Sequence, residues 1–378
     1  MADDFTSHAA NGTRPEVLLA VGAPWIGIAR LPRLLQEAGC RVVLLCRRGR
    51  FAERSRFVDE RLDAPREAAE MVPVLKELLA RRSFDWVILG DDPTLRAVVA
   101  NPGPWQSGWF PVDAESDLPP LLVSKAAFTW VMERSGLPMP RAEVVSADEA
   151  AAAARRIGFP VMVKSDQASS GDGVFRANNE ASFDGFQSNA PVVVQRFVPG
   201  RVGSTVVLFS KGRPLCWMSS YKEEVYPRPY GPSTVRRYVH LAGHQEQLER
   251  FGDAIRFTGL CGIDWVESEP GVPLLLELNA RPTPWVQLHR HYGVDLPAAI
   301  HGMLHGTPQV FPPPESVAEP VVRLFPQDAY RAASERDWTG FVRAFRSRED
   351  APRDDPALRH AYQRYLLEHA WRTWRKAA

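Results

Sequence analysis

The chain has 378 residues, of which 45% are hydrophobic and 24% are charged, and this length suits two or three globular domains with their own cores. A formal net charge of +1 leaves no global positive field, which argues against nucleic acid and anionic membranes as partners. No apolar run approaches the roughly 20 residues that a spanning helix needs, so no membrane span is expected.

The N-terminal residues and the cysteines give two expectations about the protein's surroundings. Residues 1–14 lack the basic and apolar stretches of a secretory signal, and we expect a flexible tail there. The four cysteines form no C-x-x-C pair and read as reduced, mostly buried thiols, which predicts a cytoplasmic protein. They are Cys40, Cys46, Cys216 and Cys261.

An alternation of apolar strands and helices predicts a doubly wound α/β domain over residues 15–118. Strands are expected at 17–21, 41–46 and 86–90, and helices at about 28–38 and 68–82. The first turn lacks the G-x-G-x-x-G spacing, and Arg47 and Arg48 stand where an acidic residue would bind a ribose, so an NADP-dependent oxidoreductase remains an alternative. Asp91 and Asp92 follow the third strand, where they could bind a ligand or cap the next helix.

A proline-rich stretch at 101–120 separates this domain from a second one, which we predict over residues 119–310. The second domain opens with a helix at 124–134, because Ser124 can cap that segment and Gly136 can stop it. Lys125 begins this helix, and on its own it reads as a surface residue.

A strand that ends in Lys164 is followed by a loop of small residues, and this combination suits phosphate binding. Glycines and other small residues let backbone N–H groups surround an anion, and a lysine at the loop mouth adds a point charge. The loop is not a Walker A motif, because no Lys-Ser or Lys-Thr follows its glycines. An ordinary hairpin loop is the alternative. The loop residues of interest are Ser169, Ser170, Gly171 and Gly173.

Two apolar runs around a turn at 269–271 predict a β-hairpin that carries acidic side chains. Because strand side chains alternate between faces, Glu277 and Asn279 share one face, and Asp264 on the partner strand reaches the same face. Arg281 joins them if the strand continues. Two carboxylates and a carboxamide are hard oxygen ligands that suit Mg²⁺. Because Glu277 interrupts a leucine-rich run, we favour a metal site over a hairpin with solvated charges.

Two further segments of the second domain are candidates for substrate contact. Residues 221–237 are basic, polar and broken by prolines, so we predict an irregular loop that lines the site, with a solvated excursion as the alternative. His289, Arg290 and His291 follow the hairpin, and each histidine fits a role in binding or proton transfer as well as it fits a structural role.

Residues 311–378 are predicted to form a helical C-terminal extension, which ends in an amphipathic helix at about 357–377. We expect this helix to dock on the protein, and a helix that binds a membrane surface or a partner is the alternative. Its apolar side is formed by Leu358, Tyr362, Tyr365, Leu366, Ala370 and Trp374.

The lysines, the small-residue loop and the acidic hairpin, in this order, resemble the ATP-grasp superfamily, which includes D-alanine–D-alanine ligase, biotin carboxylase and carbamoyl-phosphate synthetase. The resemblance covers residues 17 to 310 and implies an α/β fold: a Rossmann-like N-terminal domain, a two-subdomain ATP-grasp module with a hinge near 198–200, and a helical C-terminal tail. It also implies that Asp264, Glu277 and Asn279 are the ligands of two Mg²⁺ ions.

The resemblance assigns the nucleotide contacts as well. Lys125 and Lys164 would hold the phosphates of ATP, and the family usually adds a glutamate for the ribose, whereas residues 201–203 offer no carboxylate. The other residues that would contact ATP are Ser169, Ser170, Gly171, Gly173, Gln195, Phe197 and Val198.

What the resemblance implies is an ATP-dependent carboxylate–amine ligase, with Arg281 and Lys164 as catalytic residues. A carboxylate would attack the γ-phosphoryl group of ATP, and an amine would displace phosphate from the acyl phosphate, giving an amide or peptide bond, ADP and phosphate. The expected partners are amino-acid-like carboxylate and amine substrates and a second copy of the chain. The alternatives are a bicarbonate-using carboxylase of the same superfamily and a nucleotide-binding protein with weak catalysis.

Overall fold

The computed structural model describes residues 14–23, 25–166, 173–347 and 350–375, and strands in these ranges form three sheets. The strands are β1 (Glu16–Val21), β2 (Arg41–Cys46), β3 (Glu60–Asp63), β4 (Trp86–Leu89), β5 (Ala142–Val145), β6 (Val161–Ser165), β7 (Val174–Ala177), β8 (Val192–Arg196), β9 (Arg201–Ser210), β10 (Arg213–Val225), β11 (Ser233–Val239), β12 (Gly259–Glu269), β13 (Val272–Asn279) and β14 (Val321–Arg323).

Helices cover the sheets and build most of the C-terminal region. They are α1 (Leu31–Glu37), α2 (Met71–Arg81), α3 (Asp92–Val99), α4 (Lys125–Arg134), α5 (Ala150–Ile157), α6 (His244–Ile255), α7 (Leu296–Leu304), α8 (Gln327–Ser334), α9 (Trp338–Ser347) and α10 (Pro356–Arg375). The two helices expected at 28–38 and 68–82 begin with short 3-10 turns, at Gly27–Arg30 and Ala68–Glu70, so that α1 and α2 are shorter than predicted.

The first sheet is parallel and has the strand order β3-β2-β1-β4. Its central strands β1 and β2 are buried along almost their whole length, as expected for parallel strands with both faces covered. Asp91 caps α3 by accepting a hydrogen bond from Thr94 N–H at 2.9 Å, so the capping interpretation is the correct one for that residue. The predicted α/β fold class is confirmed by these elements.

A small antiparallel sheet follows, with the strand order β5-β8-β6-β7. Helix α5 packs on it, and together they form an apolar cluster separate from the two other core clusters. The members of this cluster include Ala150, Ala154, Val161, Val163 and Val194. This part of the chain is therefore a packing unit of its own.

The third and largest sheet has the order β13-β12-β9-β10-β11-β14, and its strands pair in antiparallel fashion. The expectation of an irregular loop at 221–237 is wrong for most of that segment. Residues up to Val225 belong to β10, residues from Ser233 belong to β11, and only the turn between them is irregular. Side chains of a strand alternate between its two faces, and one face of β10 and β11 lines a cavity. The polar side chains that suggested a loop belong to that face.

The C-terminal helices pack against the first sheet and the largest sheet. On α10 the side chains of Leu358, Tyr362 and Leu366 are buried, and the Tyr362 hydroxyl donates to the Ile26 carbonyl oxygen at 3.0 Å. The interpretation that this helix docks on the protein thus holds for its first half. Trp374, which we placed on the docked side, is 57% exposed, because the buried contacts of the helix end near Leu366.

The structure bears on the expectations about the cysteines and about membrane spans. The four cysteines are buried and unpaired thiols. Within the described ranges, no helix has the length and apolar character to cross a membrane.

Candidate functional site

A cavity of about 670 Å³ lies between the small sheet and the largest sheet. Its walls come from β6 and β8 on one side, from β10, β11, β12 and β13 on the other, and from the start of α3 and α4 at one end. The cavity is where the sequence places the site. Of the residues expected to bind metal, nucleotide or the transferred phosphoryl group, those that line it are Lys125, Lys164, Gln195, Phe197, Val198, Asp264, Glu277, Asn279 and Arg281.

The acidic hairpin has the register that the alternation argument requires. Asp264 on β12 lies directly opposite Glu277 on β13, and Asn279 lies opposite Gly262, two residues further along. A register shift follows the Asp264–Glu277 pair, so that Trp265 pairs with Leu275. Bulges of this kind re-aim side chains beside functional sites. The hairpin therefore presents two carboxylates and a carboxamide to the cavity.

Each carboxylate of the hairpin is held by a lysine from a different element. Lys222 Nζ on β10 lies 2.6 Å from Asp264 Oδ2, and Lys125 Nζ at the start of α4 lies 3.2 Å from Glu277 Oε1. The side chains of Asp264 and Glu277 are 22% and 31% exposed, so a cation in the cavity could reach them. The residues present fit Mg²⁺, which takes one or two carboxylates and completes its shell with phosphate oxygens and water.

The donor set is small. Within the described ranges, no group of three or more His, Cys, Asp or Glu side chains is arranged to hold a metal ion. Two carboxylates with Asn279 make a site that needs further oxygen ligands from a substrate, rather than a closed structural metal site.

Lys164 ends β6 and crosses from the small sheet towards the largest one. Its Nζ donates to Gln195 Oε1 at 2.8 Å and to the Leu276 carbonyl oxygen on β13 at 3.4 Å. Burial lowers the pKa of Lys164 to about 8, against the opposing effect of the Glu277 charge, while Lys125 adds to the lowering. An ammonium group held by neutral acceptors in this way is well placed to receive an anion.

The base of the small-residue loop is tied to the start of α4 by Asp166. Its carboxylate accepts from the Ser124 hydroxyl and from Ala126 N–H, each at 2.8 Å. Gly173, at the other end of the loop, accepts from Ser165 N–H at 2.9 Å. The loop residues Ser169, Ser170 and Gly171 lie outside the described residues.

The strand β8 and the chain beyond it form the edge of the cavity expected to hold the base and ribose. Gln195 is buried and uses its carbonyl oxygen to accept from Lys164, a partner that the sequence did not suggest. Phe197 lies under the Arg176 guanidinium at 4.0 Å. Glu223 on β10, which the sequence analysis did not single out, lines the cavity and pairs with Arg201 at 3.0 Å, so this wall does carry a carboxylate.

Arg281 is held by the first domain. Its Nε and Nη2 donate to the two carboxylate oxygens of Asp92 at 2.5 and 2.8 Å, and its guanidinium lies 4.3 Å from the centre of the Trp25 ring. Burial acts to raise the pKa of Asp92, but the hydrogen bond and charge of Arg281, with further nearby cations, lower it below its ordinary value. Asp92 is therefore the residue of the acidic pair at 91–92 that faces the cavity.

The first βα turn does not offer its N–H groups to a dinucleotide. Asp91 Oδ2 accepts from Gly22 N–H at 2.6 Å and from Ala23 N–H at 3.1 Å, so a side chain already occupies the position that a phosphate would take. This arrangement gives the NADP alternative no support.

For three residues near the end of the hairpin, the structure favours the structural alternative over substrate contact. His289 is buried, its Nδ1 lies 3.3 Å from the Val294 carbonyl oxygen, and burial lowers its pKa to about 4. Arg290 pairs with Glu37 on α1. His289, Arg290 and His291 line a separate cavity rather than the one with the hairpin, so a structural role accounts for them better.

Comparison with known proteins agrees with this geometry. A family model described as an ATP-grasp domain matches residues 123–284. No curated protein matches the chain.

Solved structures show the same fold at low identity. N5-carboxyaminoimidazole synthetase from Staphylococcus aureus, complexed with ADP, is 14% identical with a TM-score of 0.66, over 89% of this chain and 88% of that one. Biotin carboxylase from Campylobacter jejuni is 14% identical with a TM-score of 0.59, over 78% and 71%.

A third similar structure is the biotin carboxylase domain of 2-oxoglutarate carboxylase from Hydrogenobacter thermophilus, in complex with MgADP, ADP and bicarbonate. It is 15% identical with a TM-score of 0.59, over 82% of this chain and 72% of that one. The match of the ATP-grasp model to residues 123–284 thus agrees with the family resemblance found in the sequence.

Proposed function

We propose that this ATP-dependent enzyme transfers the γ-phosphoryl group of ATP to a carboxyl group and releases ADP, and that a nucleophile then displaces phosphate. The observation that carries the proposal is the pairing of Asp264 with Glu277 across one hairpin, in a cavity that also holds Lys164 and Arg281. Phosphoryl transfer depends mainly on positioning and on neutralisation of charge, which is what these groups can supply.

The chain's own residues divide the work in this proposal. Lys164, on the small sheet, binds the phosphates of ATP, and its neutral acceptors leave its charge available. Lys125 and Lys222 hold Glu277 and Asp264 in place. Mg²⁺ bound to Asp264, Glu277 and Asn279 would neutralise phosphate charge.

Arg281 stabilises negative charge on the transferred group. The Nε and Nη2 of Arg281 donate to the two carboxylate oxygens of Asp92, and these two hydrogen bonds leave Nη1 to face the transferred group. The bidentate pair fixes the plane of the guanidinium, so that its orientation need not be established at the moment of reaction.

Bicarbonate is the first candidate for the carboxyl group, because the similar structures include two biotin carboxylases and an enzyme whose product is an N-carboxylated amine. The nucleophile in this version is a nitrogen of a second substrate, which becomes carboxylated.

An amino-acid-like carboxylate joined to an amine is the second candidate, and the arginines around the cavity support it. Arg236 and Arg281 line the cavity together with Lys222, and these cations suit an organic acid. Both candidates share an acyl-phosphate type of intermediate and the release of ADP.

The test is a screen for ADP release. Purified protein with Mg-ATP is offered bicarbonate alone, then single small carboxylates and amino acids, and each reaction is repeated with hydroxylamine. ADP formed with bicarbonate alone supports the carboxylase version, and a hydroxamate formed from one organic acid supports the ligase version. AMP and pyrophosphate as products would overturn the proposal, because they require attack at the α-phosphorus.

A further inference from the structure

Arg236 on β11 is a buried guanidinium whose described partners are all uncharged. It is 3% exposed, and its Nη1 donates to the hydroxyls of Ser204 and Ser220, each at 2.8 Å. Its Nε is buried and donates no hydrogen bond to any described atom. Within the described ranges Arg236 makes no ion pair, and the negative charge that acts on it is that of Asp264, which is not in direct contact with it. Burying such a charge is costly unless an anion joins it.

The Arg236 guanidinium lies on the same face of the largest sheet as the carboxylates of the acidic hairpin. Glu277, Asp264, Ser204 and Ser220 stand opposite one another on four successive strands and so share one face of the largest sheet. Because Arg236 bonds to both serines, its head group lies over β9 and β10, roughly one strand spacing of 4.8 Å from the Asp264 strand. A group bound there would share the cavity with Lys164.

Two further features shape this corner of the cavity. The Arg236 guanidinium lies 3.9 Å from the centre of the Trp285 ring, which fixes its plane. Thr283 lines the same cavity, and its buried Oγ1 has no hydrogen-bond partner among the described atoms. Gly262 leaves room for the side chain of Thr283, because a Cβ at that position would lie 2.4 Å from Thr283 Cγ2. The same cavity is therefore lined by a guanidinium and a threonine that each have one buried polar atom without a described hydrogen-bond partner.

Three other basic side chains that line the cavity form ion pairs with carboxylates. Lys222 pairs with Asp264, Lys125 pairs with Glu277, and Arg281 pairs with Asp92. Arg236 differs from all three, and burial lowers its pKa to about 10, so it is charged at neutral pH.

We propose that Arg236 is the anchor of a subsite for a carboxylate or phosphate group of the non-nucleotide substrate, with Thr283 as a second hydrogen-bonding group. The inference rests on the proposed function, since it names the residues that would hold an acidic group of the substrate that the ATP site takes. A guanidinium that is already oriented by two serines and a ring binds such a group in a fixed position.

Binding of small anions tests the subsite without relying on turnover. With saturating Mg-ADP, binding of inorganic phosphate and of succinate is measured by calorimetry for the wild type, Arg236→Met, Arg236→Lys and Arg237→Met. Arg237 is the matched control, because it is the next residue on β11, half-exposed and paired with Glu223. We expect Arg236→Met to weaken the anion by about tenfold or more, Arg236→Lys to weaken it less, and Arg237→Met to leave it unchanged.

Thermal unfolding of the same variants separates this role from a structural one. Because no described carboxylate forms an ion pair with the buried charge, Arg236→Met should unfold at the same temperature as the wild type or higher when no anion is added. Phosphate or succinate should then raise the unfolding temperature of the wild type only. Whichever anion binds more tightly identifies the group as phosphate or carboxylate.

Three outcomes would overturn the proposal. Mg-ADP binding that falls in Arg236→Met as much as anion binding does would place Arg236 on the nucleotide. A lower unfolding temperature in both Arg236 variants, with anion binding retained, would make it a structural arginine. Failure of both anions to bind the wild type would remove the subsite. Anion binding with the expected profile but no ADP release would leave the subsite and reject the proposed function.

Discussion

At the scale of single residues, the two carboxylates of the hairpin carry the most weight. Asp264 and Glu277 lie opposite each other, and two lysines keep them from repelling each other. Two carboxylates this close need nearby positive charge, which the lysines supply here and which a bound cation would increase.

We predict that Glu277→Ala lowers ADP formation by roughly a hundredfold or more, since a lost metal ligand removes several kcal/mol of charge stabilisation. Glu269→Ala is the control, because Glu269 is exposed at the end of the same strand β12 that carries Asp264. Steady-state ADP release at several Mg²⁺ concentrations is the measurement. Wild-type turnover in the Glu277 variant would remove the metal assignment.

A second residue-scale prediction concerns Lys164 and pH. Its pKa is lowered to about 8 by burial, and below that pH the ammonium form is present to receive phosphate. Bound ATP should raise this pKa again, so nucleotide binding above pH 8 takes up a proton and becomes weaker as pH rises. Calorimetry at pH 8.5 in buffers of different ionisation enthalpy measures the uptake.

The lowered pKa of Lys164 also affects folding: the stability of the nucleotide-free protein should rise with pH, whereas nucleotide binding should weaken. The unfolded chain binds more protons than the folded chain between about pH 8 and the ordinary lysine pKa, so Lys164 destabilises the nucleotide-free protein less as pH rises through that window.

The control for the calorimetric measurement is Lys164→Met, which should abolish the proton uptake on nucleotide binding. Uptake that persists in this variant would assign the titration to another group.

The residue scale also shows what a sequence can predict about a site. The period of two in a strand is enough to put Asp264, Glu277 and Asn279 together, because the turn at 269–271 sets the approximate register. The contact of Lys164 with Gln195 and that of Arg281 with Asp92 join distant parts of the chain. No local pattern encodes such pairs, and they follow only from the arrangement of the sheets.

At the scale of elements, the strands β10 and β11 explain why the segment 221–237 was misread. Both strands have polar side chains on the cavity face, and prolines cluster in the turn between them. A strand that lines a polar cavity lacks the apolar alternation on which strand prediction depends. Glu223 and Arg236 are candidates for ligand contact because they are among these polar side chains on the cavity face.

Helix α10 provides an element-scale prediction with a built-in control. Leu366 is fully buried, whereas its neighbour Leu367 is 55% exposed. Leu366→Ala should lower the free energy of unfolding by about 2–5 kcal/mol, because it leaves a cavity under the helix. Leu367→Ala should change it by less than about 0.5 kcal/mol. Denaturant unfolding of both variants is the measurement, and equal effects would mean that the helix does not dock through this face.

At the scale of the whole molecule, the first sheet and the largest sheet share their cores. One apolar cluster joins Leu19 and Leu44 of the first sheet to Val206 and Leu208 of the largest sheet, and a second cluster joins the opposite faces in the same way. The small sheet has its own cluster. Both clusters contain residues from either side of residue 118, where the sequence predicts a domain division, and the small sheet is the unit best placed to move against the rest.

The ion pair between Asp92 and Arg281 connects the packing of the domains to the proposed reaction. It joins residues 189 positions apart and links α3 of the first domain to the end of the hairpin, where Arg281 faces the cavity. We predict that Asp92→Asn lowers kcat by about tenfold or more with little change in KM for ATP, because the loss of charge frees a guanidinium that must be oriented in the transition state. Asp92→Glu should restore part of the rate. The matched control is Asp117→Asn, which removes an exposed ion pair with Arg134. Steady-state ADP formation gives both constants. If Asp92→Asn changes only thermal stability and leaves kcat intact, the pair joins the two domains without positioning Arg281.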